Sequence, residues 1–319
     1  MKIRLELAAL AASVFLVPWA LFPIPESPIH ISAPEPVSIL FLGDVMLDRY
    51  IRAAAARSGY EYVFRNLRPL MASNDITVFN LEGTVTDRPS VSEGSVPGTP
   101  ANYIFTFKPA AVETFASAGR VIASLGNNHV DDLGIEGMRE TEAHLNRLGI
   151  RFFGSPLAVR APLIMETRQG SVALVSYNEF KPESAENTEG ALAAVADLNA
   201  REPRPFVVVF AHWGEEYATT TPPRVRMLAR SFVDAGADLV IGTHPHVVEP
   251  PEEYKNVPIY YSLGNAVFDQ YWSKEVRCGL ALSITLERGV LRHVEPIPLY
   301  LEWDGSTSAG VGATSCALP

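Results

Sequence analysis

The chain has 319 residues, of which 47% are apolar, and 36 acidic side chains against 26 basic ones give a net charge of −10. This length and apolar fraction suffice for a large packed core and argue against intrinsic disorder. Cys278 and Cys316 can form at most one bridge, so a small fold held together by disulfides is excluded. The negative charge disfavours nucleic acid as a partner, because a phosphate backbone would be repelled.

The N-terminal segment differs from the rest of the chain. Lys2 and Arg4 precede an uncharged stretch, residues 7–24, and a proline-rich linker follows it. This order predicts a membrane anchor or a cleaved signal segment over residues 1–35, and a buried core helix is the third alternative. The rest of the chain is then expected outside the cytoplasm, at the cell membrane if the segment is kept and secreted if it is cleaved.

Short apolar runs rich in β-branched residues recur along the next part of the chain, and each ends at glycine or polar residues. These runs are 37–42, 76–79, 121–125, 206–211, 239–241 and 259–263. Without alternation, such runs predict strands buried on both faces. Residues 135–148 and 224–235 have helical apolar spacing and stop at Gly149 and Gly236. Together these elements predict one α/β domain over residues 36–300.

Two segments have no such periodicity. Residues 87–102 form a turn-rich insertion that we expect to be mobile and near the mouth of the site. Residues 301–319 are rich in small residues over much of their length and are expected to be a flexible tail.

Polar residues that can bind metals follow the predicted strands. They are Asp44, Glu82, Asn128, His129, His212, His244 and His246. Ligands of α/β proteins bind at the carboxyl ends of strands, so these residues are expected to converge there. Imidazoles together with carboxylates suit one or two divalent ions such as Mn, Fe or Zn.

Each of these residues also has an ordinary structural interpretation when it is taken alone. Asp44 could cap a helix, Asn128 could satisfy a turn, and His212 could be a hydrogen-bonded core residue. His246 shares a face with His244 only if the segment between them is extended. The whole set at successive strand ends favours a metal site.

The motifs that carry these residues resemble those of a known family. They are Gly43-Asp44-Val45-Met46-Leu47, Asn80-Leu81-Glu82, Asn127-Asn128-His129-Val130-Asp131-Asp132, His212-Trp213-Gly214-Glu215-Glu216-Tyr217, Gly242-Thr243-His244-Pro245-His246 and Tyr261-Ser262-Leu263-Gly264-Asn265. In this order, over about residues 38–270, they are similar to the CapA family of poly-γ-glutamate capsule biosynthesis proteins, a branch of the calcineurin-like metallophosphoesterases. The resemblance implies a four-layer fold in which helices flank two mixed β-sheets, and an N-terminal membrane anchor.

The resemblance also implies roles for the matching residues. Glu82 would bridge two metals; Asn128, His212 and His244 would complete one metal site, and Asp44 and His246 the other. His129 would act near the scissile bond as a general acid or as a charge-stabilising donor. A metal-bound hydroxide would then attack a phosphoester or an amide-type bond.

One position departs from the pattern of the wider superfamily, whose first motif is Asp-x-His. Here the third position of that motif is Met46, whose thioether suits none of the metals considered. The first metal site therefore has one ligand fewer, unless Asn80 or a water replaces it. Further candidates for the surroundings of the metals or the pocket are Asp132, Trp213, Glu216 and Asn265, of which Asp132 and Glu216 could orient an imidazole.

Alternative functions remain open at this point. The first is a metal-dependent hydrolase acting on an anionic polymer or phosphoester in capsule or poly-γ-glutamate synthesis or processing. The second is a non-catalytic, metal-dependent polymer-binding subunit that assembles with a membrane synthase. A nucleotide phosphatase is a weaker third, because no glycine-rich phosphate loop is present.

Overall fold

The computed structural model describes residues 35–157, 161–180, 184–313 and 316. These ranges belong to one compact unit, Pro34–Pro319. The predicted anchor or signal segment lies outside the described residues. Among the helices within the described ranges, none combines the length and the apolar composition that a membrane crossing requires.

Strands and helices alternate along most of the chain. The strands are β1 Val37–Val45, β2 Ile76–Leu81, β3 Thr84–Val85, β4 Thr106–Phe107, β5 Val121–Ser124, β6 Arg151–Phe153, β7 Leu163–Thr167, β8 Gly170–Asn178, β9 Phe206–His212, β10 Leu239–Thr243, β11 Glu252–Tyr254, β12 Val257–Tyr260, β13 Asn265–Val267, β14 Cys278–Glu287, β15 Val290–Leu301 and β16 Thr307–Ala309. The helices are α1 Arg49–Ser58, α2 Tyr60–Phe64, α3 Leu67–Ala72, α4 Pro109–Ala116, α5 Gly134–Arg147, α6 Ser184–Asn199, α7 Pro223–Ala235 and α8 Lys274–Arg277, with short 3-10 turns at Pro100–Tyr103 and Gly310–Ala313.

The larger strands form two mixed sheets. The first has the order β16-β15-β14-β1-β2-β5-β6, with β13 also paired to β1, and the second has the order β11-β12-β10-β9-β8-β7. In the first sheet β1, β2, β5 and β6 are parallel, whereas β14 pairs with β1 antiparallel. In the second, β8, β9, β10 and β12 are parallel. The predicted strand runs therefore form the parallel centres of both sheets.

Three apolar clusters show how the layers stack. One contains Phe41 and Val78 from the first sheet together with Val208 and Ile241 from the second, so it lies between the sheets. The other two pack helices against the outer faces: residues of α1 to α5 cover the first sheet, and residues of α6 and α7 cover the second. Because each sheet buries both faces, the predicted four-layer α/β sandwich is confirmed.

The two predicted helices are present, and their ends follow the expected chemistry. α7 ends at Gly236, which adopts a left-handed φ of 115° and closes the helix with its backbone N–H. α5 begins at Gly134 and ends at Arg147, close to the predicted bounds. Its buried side includes Leu145, which packs in the outer cluster of the first sheet.

The two segments expected to be loose are held by specific bonds. Ser90 and Ser92 of the insertion donate hydrogen bonds to the buried carboxylate of Asp48, so the insertion is fastened to the start of α1. In the C-terminal part, β16 pairs antiparallel with β15, and Cys316 forms a disulfide with Cys278 at the start of β14. Side-chain hydrogen bonds thus hold the insertion, and strand pairing with one cross-link holds the described part of the tail.

Candidate metal centre

A buried carboxylate pair lies where the carboxyl ends of the two sheets meet. Asp44 is near the end of β1, Glu82 follows β2, and His212 ends β9. One ligand atom of each lies within 4.8 Å of the other two, and all three side chains are buried. The structure thus brings together residues far apart in sequence, as the strand ends predict.

Close backbone contact fixes the position of Asp44. A Cβ atom at Gly43 would lie 1.9 Å from the carbonyl oxygen of Gly264, so only glycine permits β1 to approach so closely the turn that precedes β13. The Asp44 N–H then donates to the Gly264 oxygen at 3.0 Å. This contact holds the Asp44 carboxylate toward the centre of the site.

Asn80 connects the predicted ligands. Its side-chain Nδ2 lies 2.8 Å from Asp44 Oδ1, 3.2 Å from Glu82 Oε2 and 3.3 Å from His212 Nδ1. The oxygen of the same amide accepts a hydrogen bond from Asn127 Nδ2 at 3.0 Å. Asn80 is therefore a buried polar link among the ligands, and Asn127, which sequence reasoning did not single out, fixes its orientation.

His244 and His246 reach the site through an unusual backbone. Both have positive φ, 100° and 59°, so the segment is not extended as the simple two-residue spacing would require. Such conformations cost of order 1–3 kcal/mol each and occur mainly where function demands them. Their rings still face the same site, with centroids 6.0 Å apart.

Hydrogen bonds determine which nitrogen of His246 faces the centre. His246 Nδ1 lies 3.1 Å from Asp44 Oδ2 and 3.0 Å from Asn265 Oδ1, both of which are acceptors, so Nδ1 carries the proton. His246 Nε2 lies 3.6 Å from Glu82 Oε1. In a neutral ring, Nε2 therefore presents its lone pair toward the Glu82 carboxylate, as two ligands of one cation would do.

Asn128 and His212 meet on the other side of the centre. His212 Nε2 lies 2.9 Å from Asn128 Oδ1, and its Nδ1 lies 3.0 Å from Thr243 Oγ1. The His212 and His244 rings pack edge to face with centroids 4.8 Å apart. Thr243 is a further residue that sequence reasoning missed, although it stands next to His244 in the same motif.

His129 stands at the edge of the cluster in an oriented pose. Its Nδ1 lies 3.0 Å from Asp132 Oδ2, and that same oxygen accepts the backbone N–H of Phe105 at 2.7 Å. His129 Nε2 lies 4.0 Å from Glu82 Oε1. The Phe105 ring stacks against the imidazole at 4.2 Å. Asp132 and Phe105 therefore direct Nε2 of His129 toward the carboxylate centre.

Burial and crowding shift the acid–base properties of the cluster. Burial and the neighbouring charge of Asp44 raise the pKa of Glu82 well above its usual range. Burial alone would raise the pKa of Asp44 as well, but the hydrogen bond and charge of His246 outweigh it and lower that pKa. Burial, reinforced by the other histidines, lowers the pKa of His212 far below 6.5 and that of His244 to about 3. The imidazoles of His212 and His244 are thus neutral, which is the form that binds metals.

Unpartnered polar atoms show that the cluster fits a cation. Glu82 Oε1 and His244 Nδ1 are buried and have no hydrogen-bond partner among the described residues. Leaving such atoms unpaired is costly unless something else binds them. A divalent cation accepts both kinds of lone pair and would offset the two adjacent carboxylate charges. The buried Asp/Glu/His group is therefore compatible with divalent metal binding.

The remaining predicted residues occupy different surroundings. Trp213 is fully buried; its indole donates to the Tyr261 carbonyl and packs in the outer core of the second sheet, so it does not line the cleft. Glu216 is exposed and interacts with the hydroxyl of Tyr217, and the described residues include no imidazole bonded to it. Asn265 is buried beneath His246 and does not shape the rim.

The position that departs from Asp-x-His also has a clear location. Met46 is fully buried in the cluster between α1 and the first sheet, and its sulfur accepts the N–H of Asp48 at 3.0 Å. Its side chain therefore belongs to the core. The half-exposed ring of Phe180 packs against the ring of His244, with the two ring centres 4.1 Å apart. No sequence signal indicated this contact.

The chain belongs to a family of bacterial capsule synthesis proteins. Residues 38–270 match the family model described as "Bacterial capsule synthesis protein PGA_cap". This match covers more than half of the chain and confirms the CapA-type resemblance of the motifs. The protein is thus related to capsule or poly-γ-glutamate biosynthesis.

Particular relatives agree with this assignment. The chain is 29% identical to the PGA biosynthesis protein CapA of Bacillus subtilis (strain 168), with 83% of this chain and 72% of that protein covered. It is 29% identical to the capsule biosynthesis protein CapA of Bacillus anthracis, with 85% and 69% covered. Among solved structures, TT1561 of Thermus thermophilus aligns with a TM-score of 0.45 and 13% identity over 82% of this chain and 98% of that one.

Proposed function

We propose that the protein is a metal-dependent hydrolase that acts outside the cytoplasmic membrane in the synthesis or processing of a capsule polymer such as poly-γ-glutamate. The observation that carries the proposal is the pair of unpartnered buried atoms, Glu82 Oε1 and His244 Nδ1, next to an oriented His129. A purely structural cluster would satisfy its buried polar atoms internally. In this cluster the two atoms have no hydrogen-bond partner among the described residues.

Asp44, Glu82, Asn128, His212, His244 and His246 would hold one or two divalent ions. The mixture of imidazole, carboxylate and amide oxygen favours Mn, Fe or Zn. When bound, such an ion lowers the pKa of a coordinated water and stabilises negative charge on a phosphoryl or acyl oxygen. Asn265 and Asn80 would keep the ligands in their orientations.

His129 would carry the proton transfer. Its Nδ1 proton is held by Asp132, so Nε2 is the atom free to donate to the leaving group or to the developing oxyanion. The Asp132 carboxylate stabilises the imidazolium that acts as acid. Phe105, stacked on the ring, excludes water from that face and fixes its tilt. Asp132 is thus a positioning residue for His129.

Metal binding is tested by elemental analysis of the purified protein and of Glu82→Gln. The substitution keeps the volume of the side chain and removes the charged oxygens, so we expect the variant to lose bound metal. Glu249→Gln is the matched control, because Glu249 is also buried and also has an unpartnered Oε1, but it is not one of the candidate ligands and its Oε2 accepts a hydrogen bond from Thr221. Equal metal content in all three proteins would overturn the assignment.

Catalysis is tested with a panel of phosphodiester and γ-glutamyl substrates on the metal-loaded protein. His129→Ala should retain the metal and lose turnover by about 100-fold or more, the usual contribution of a general acid. His293→Ala, at an exposed position in β15, is the matched control. Unchanged turnover in His129→Ala would show that His129 is not the general acid.

Met46 favours a second candidate function. Because its sulfur lies in the core, it supplies no ligand where the wider superfamily has a histidine. The protein would then be a non-catalytic subunit that binds an anionic polymer through its metal and assembles with a membrane synthase. Absence of turnover across the panel, with polymer binding that weakens when a chelator is added, would favour this candidate.

The location of the protein is part of the proposal. The uncharged stretch of residues 7–24 after Lys2 and Arg4 supports an N-terminal anchor or signal segment. The Cys278–Cys316 disulfide supports an oxidising compartment, where such bonds persist. Fractionation of cells that produce the protein should recover it with the membrane, or in the medium if the segment is cleaved. Recovery of the reduced protein from the cytosol alone would contradict the proposed location.

A further inference from the structure

An open cavity lies beside the helix α8. It has a volume of about 430 Å³ and is lined by Tyr271, Trp272, Ser273, Lys274, Arg277 and Tyr300. None of these residues takes part in the candidate metal centre. The lining combines aromatic rings with two cationic side chains in a protein whose net charge is −10.

The cavity is connected to the metal centre by aromatic contacts. The ring of Tyr217 lies 6.0 Å from that of His246 and 5.3 Å from that of Trp272. Gln270 donates to the Tyr217 hydroxyl at 3.2 Å and so holds this ring between the two sites. A chain leaving the metal centre past Tyr217 would therefore reach the cavity within a few residues, since an extended chain spans roughly 3.3 Å per residue.

Arg277 is held in a rigid pose. Its guanidinium lies 4.2 Å from the ring centre of Tyr300 and 4.6 Å from that of Trp303, and its Nε donates to the Leu301 carbonyl at 3.0 Å. A guanidinium fixed between rings loses little entropy when it binds a carboxylate through its remaining N–H groups. Arg277 thus has the properties of a preorganised anion receptor.

The cations of the cavity are not neutralised within the described part of the chain, where no carboxylate forms an ion pair with Arg277 or Lys274. Two acids, Asp269 and Asp304, lie near the cavity: together with burial, their charges raise the pKa of the Tyr271 hydroxyl. Both are engaged elsewhere, Asp269 with Arg49 and Asp304 with Arg65. Glu275, the residue after Lys274, interacts with the charge of that ammonium, so Arg277 is the cation that is most available to an external anion.

The exposed aromatic side chains indicate that the ligand of the cavity is a polymer chain and not a small ion. Trp272 and Trp303 are 63% and 62% exposed, which is high for the largest apolar side chain. A small inorganic anion would need the cations but not the indoles. An extended polymer with regularly spaced carboxylates uses both, because its backbone and methylene groups can pack on the rings.

We propose that this cavity is a binding subsite for the carboxylates of a polyanionic chain, placed to hold the polymer next to the metal centre. For the identity of the chain, the inference rests on the proposed function. The charges and aromatic rings of the cavity are independent of the metal. Arg277 and Lys274 would bind carboxylates, and Trp272 would pack on the chain between them.

The test measures binding of poly-γ-glutamate to the full-length protein by the change in tryptophan fluorescence, with a chelator present throughout. The chelator removes the metal contribution, so failure of the hydrolase proposal would leave this measurement unaffected. We expect saturable binding that weakens with added salt, and about tenfold weaker binding in Arg277→Gln, the usual effect of losing a charged hydrogen-bond donor. Polyglutamine, an α-linked polyamide without side-chain charge, should not compete.

Control variants separate the cavity from general charge effects. Lys274→Gln changes an exposed side chain, so a loss of binding there cannot be attributed to misfolding. Arg147→Gln removes one positive charge from the exposed end of α5 and should leave binding unchanged. Equal affinity in wild type, Arg277→Gln and Lys274→Gln, or equal losses in all three variants, would overturn the proposal. Stronger binding of RNA than of polyglutamate would also overturn it.

Discussion

Asp48 is expected to be one of the residues on which the stability of the domain depends most. Its carboxylate is fully buried and accepts hydrogen bonds from several parts of the chain. The donors are the backbone of Arg49, the guanidinium of Arg52, the hydroxyls of Ser90 and Ser92, and both the N–H and the hydroxyl of Thr106. Because Phe105 precedes Thr106 and stacks on His129, this network also supports one wall of the site.

Asp48→Asn should therefore lower the free energy of unfolding by about 3–5 kcal/mol, the cost of removing one partner of a buried ion pair. Arg52, whose side chain is only 5% exposed, would remain as an uncompensated buried charge. At about 2 °C per kcal/mol for a domain of this size, the thermal midpoint should fall by about 6–10 °C. Circular dichroism or differential scanning calorimetry measures this directly.

The pH dependence provides a second measurement. Burial by itself would raise the pKa of Asp48, but the Thr106 N–H and the Arg52 charge outweigh it and lower that pKa. A lowered pKa contributes stability above the unfolded value of about 4 and loses it as the pH falls through the folded value. The difference between wild type and Asp48→Asn should therefore be largest near neutral pH and shrink below about pH 4.

The matched control is Asp87→Asn, at the start of the insertion that Asp48 fastens, where the side chain is 82% exposed. Its midpoint should change by no more than about 1 °C. If Asp48→Asn shifted the midpoint no more than this control, the buried network would not stabilise the domain, and its support of Phe105 would be refuted.

Other predictions concern the site and the cross-link. Gly43→Ala should lower the free energy of unfolding by about 2 kcal/mol or more, because its Cβ would meet the Gly264 oxygen at 1.9 Å; chemical denaturation measures the loss. Reduction of the Cys278–Cys316 bond should lower the free energy of unfolding by up to about 4 kcal/mol, since the bond closes a long loop; melting with and without reductant, against a double serine variant, checks this. Asn265→Ala should weaken metal binding by about 10- to 100-fold in a metal titration, because His246 loses the acceptor that orients its ring.

The sequence was sufficient to predict which strand ends carry the site. Buried parallel strands are continuous apolar runs, so the polar residue that ends each run is recognisable locally. Asp44, Glu82 and His212 were predicted in this way, and the structure brings them within one ligand sphere. Resemblance to a family supplied the layer order, which no local pattern contains.

Features that depend on tertiary contacts could not be predicted. Alternation along a strand turns Trp213 away from the face of its neighbour His212, so it enters the core of the second sheet. The positive φ of His244 and His246 has no sequence signal, because residues other than glycine rarely adopt it. Phe105 reaches His129 only because a separate short strand places it there.

The sheet order has a consequence for how the domain forms. β1 carries Asp44, yet its antiparallel partner β14 and its short neighbour β13 come from the far end of the sequence. Contacts between distant segments form slowly, since the intervening chain must first lose its freedom. The candidate metal centre therefore cannot be completed until β13 and β14, near the far end of the sequence, are available to pair with β1.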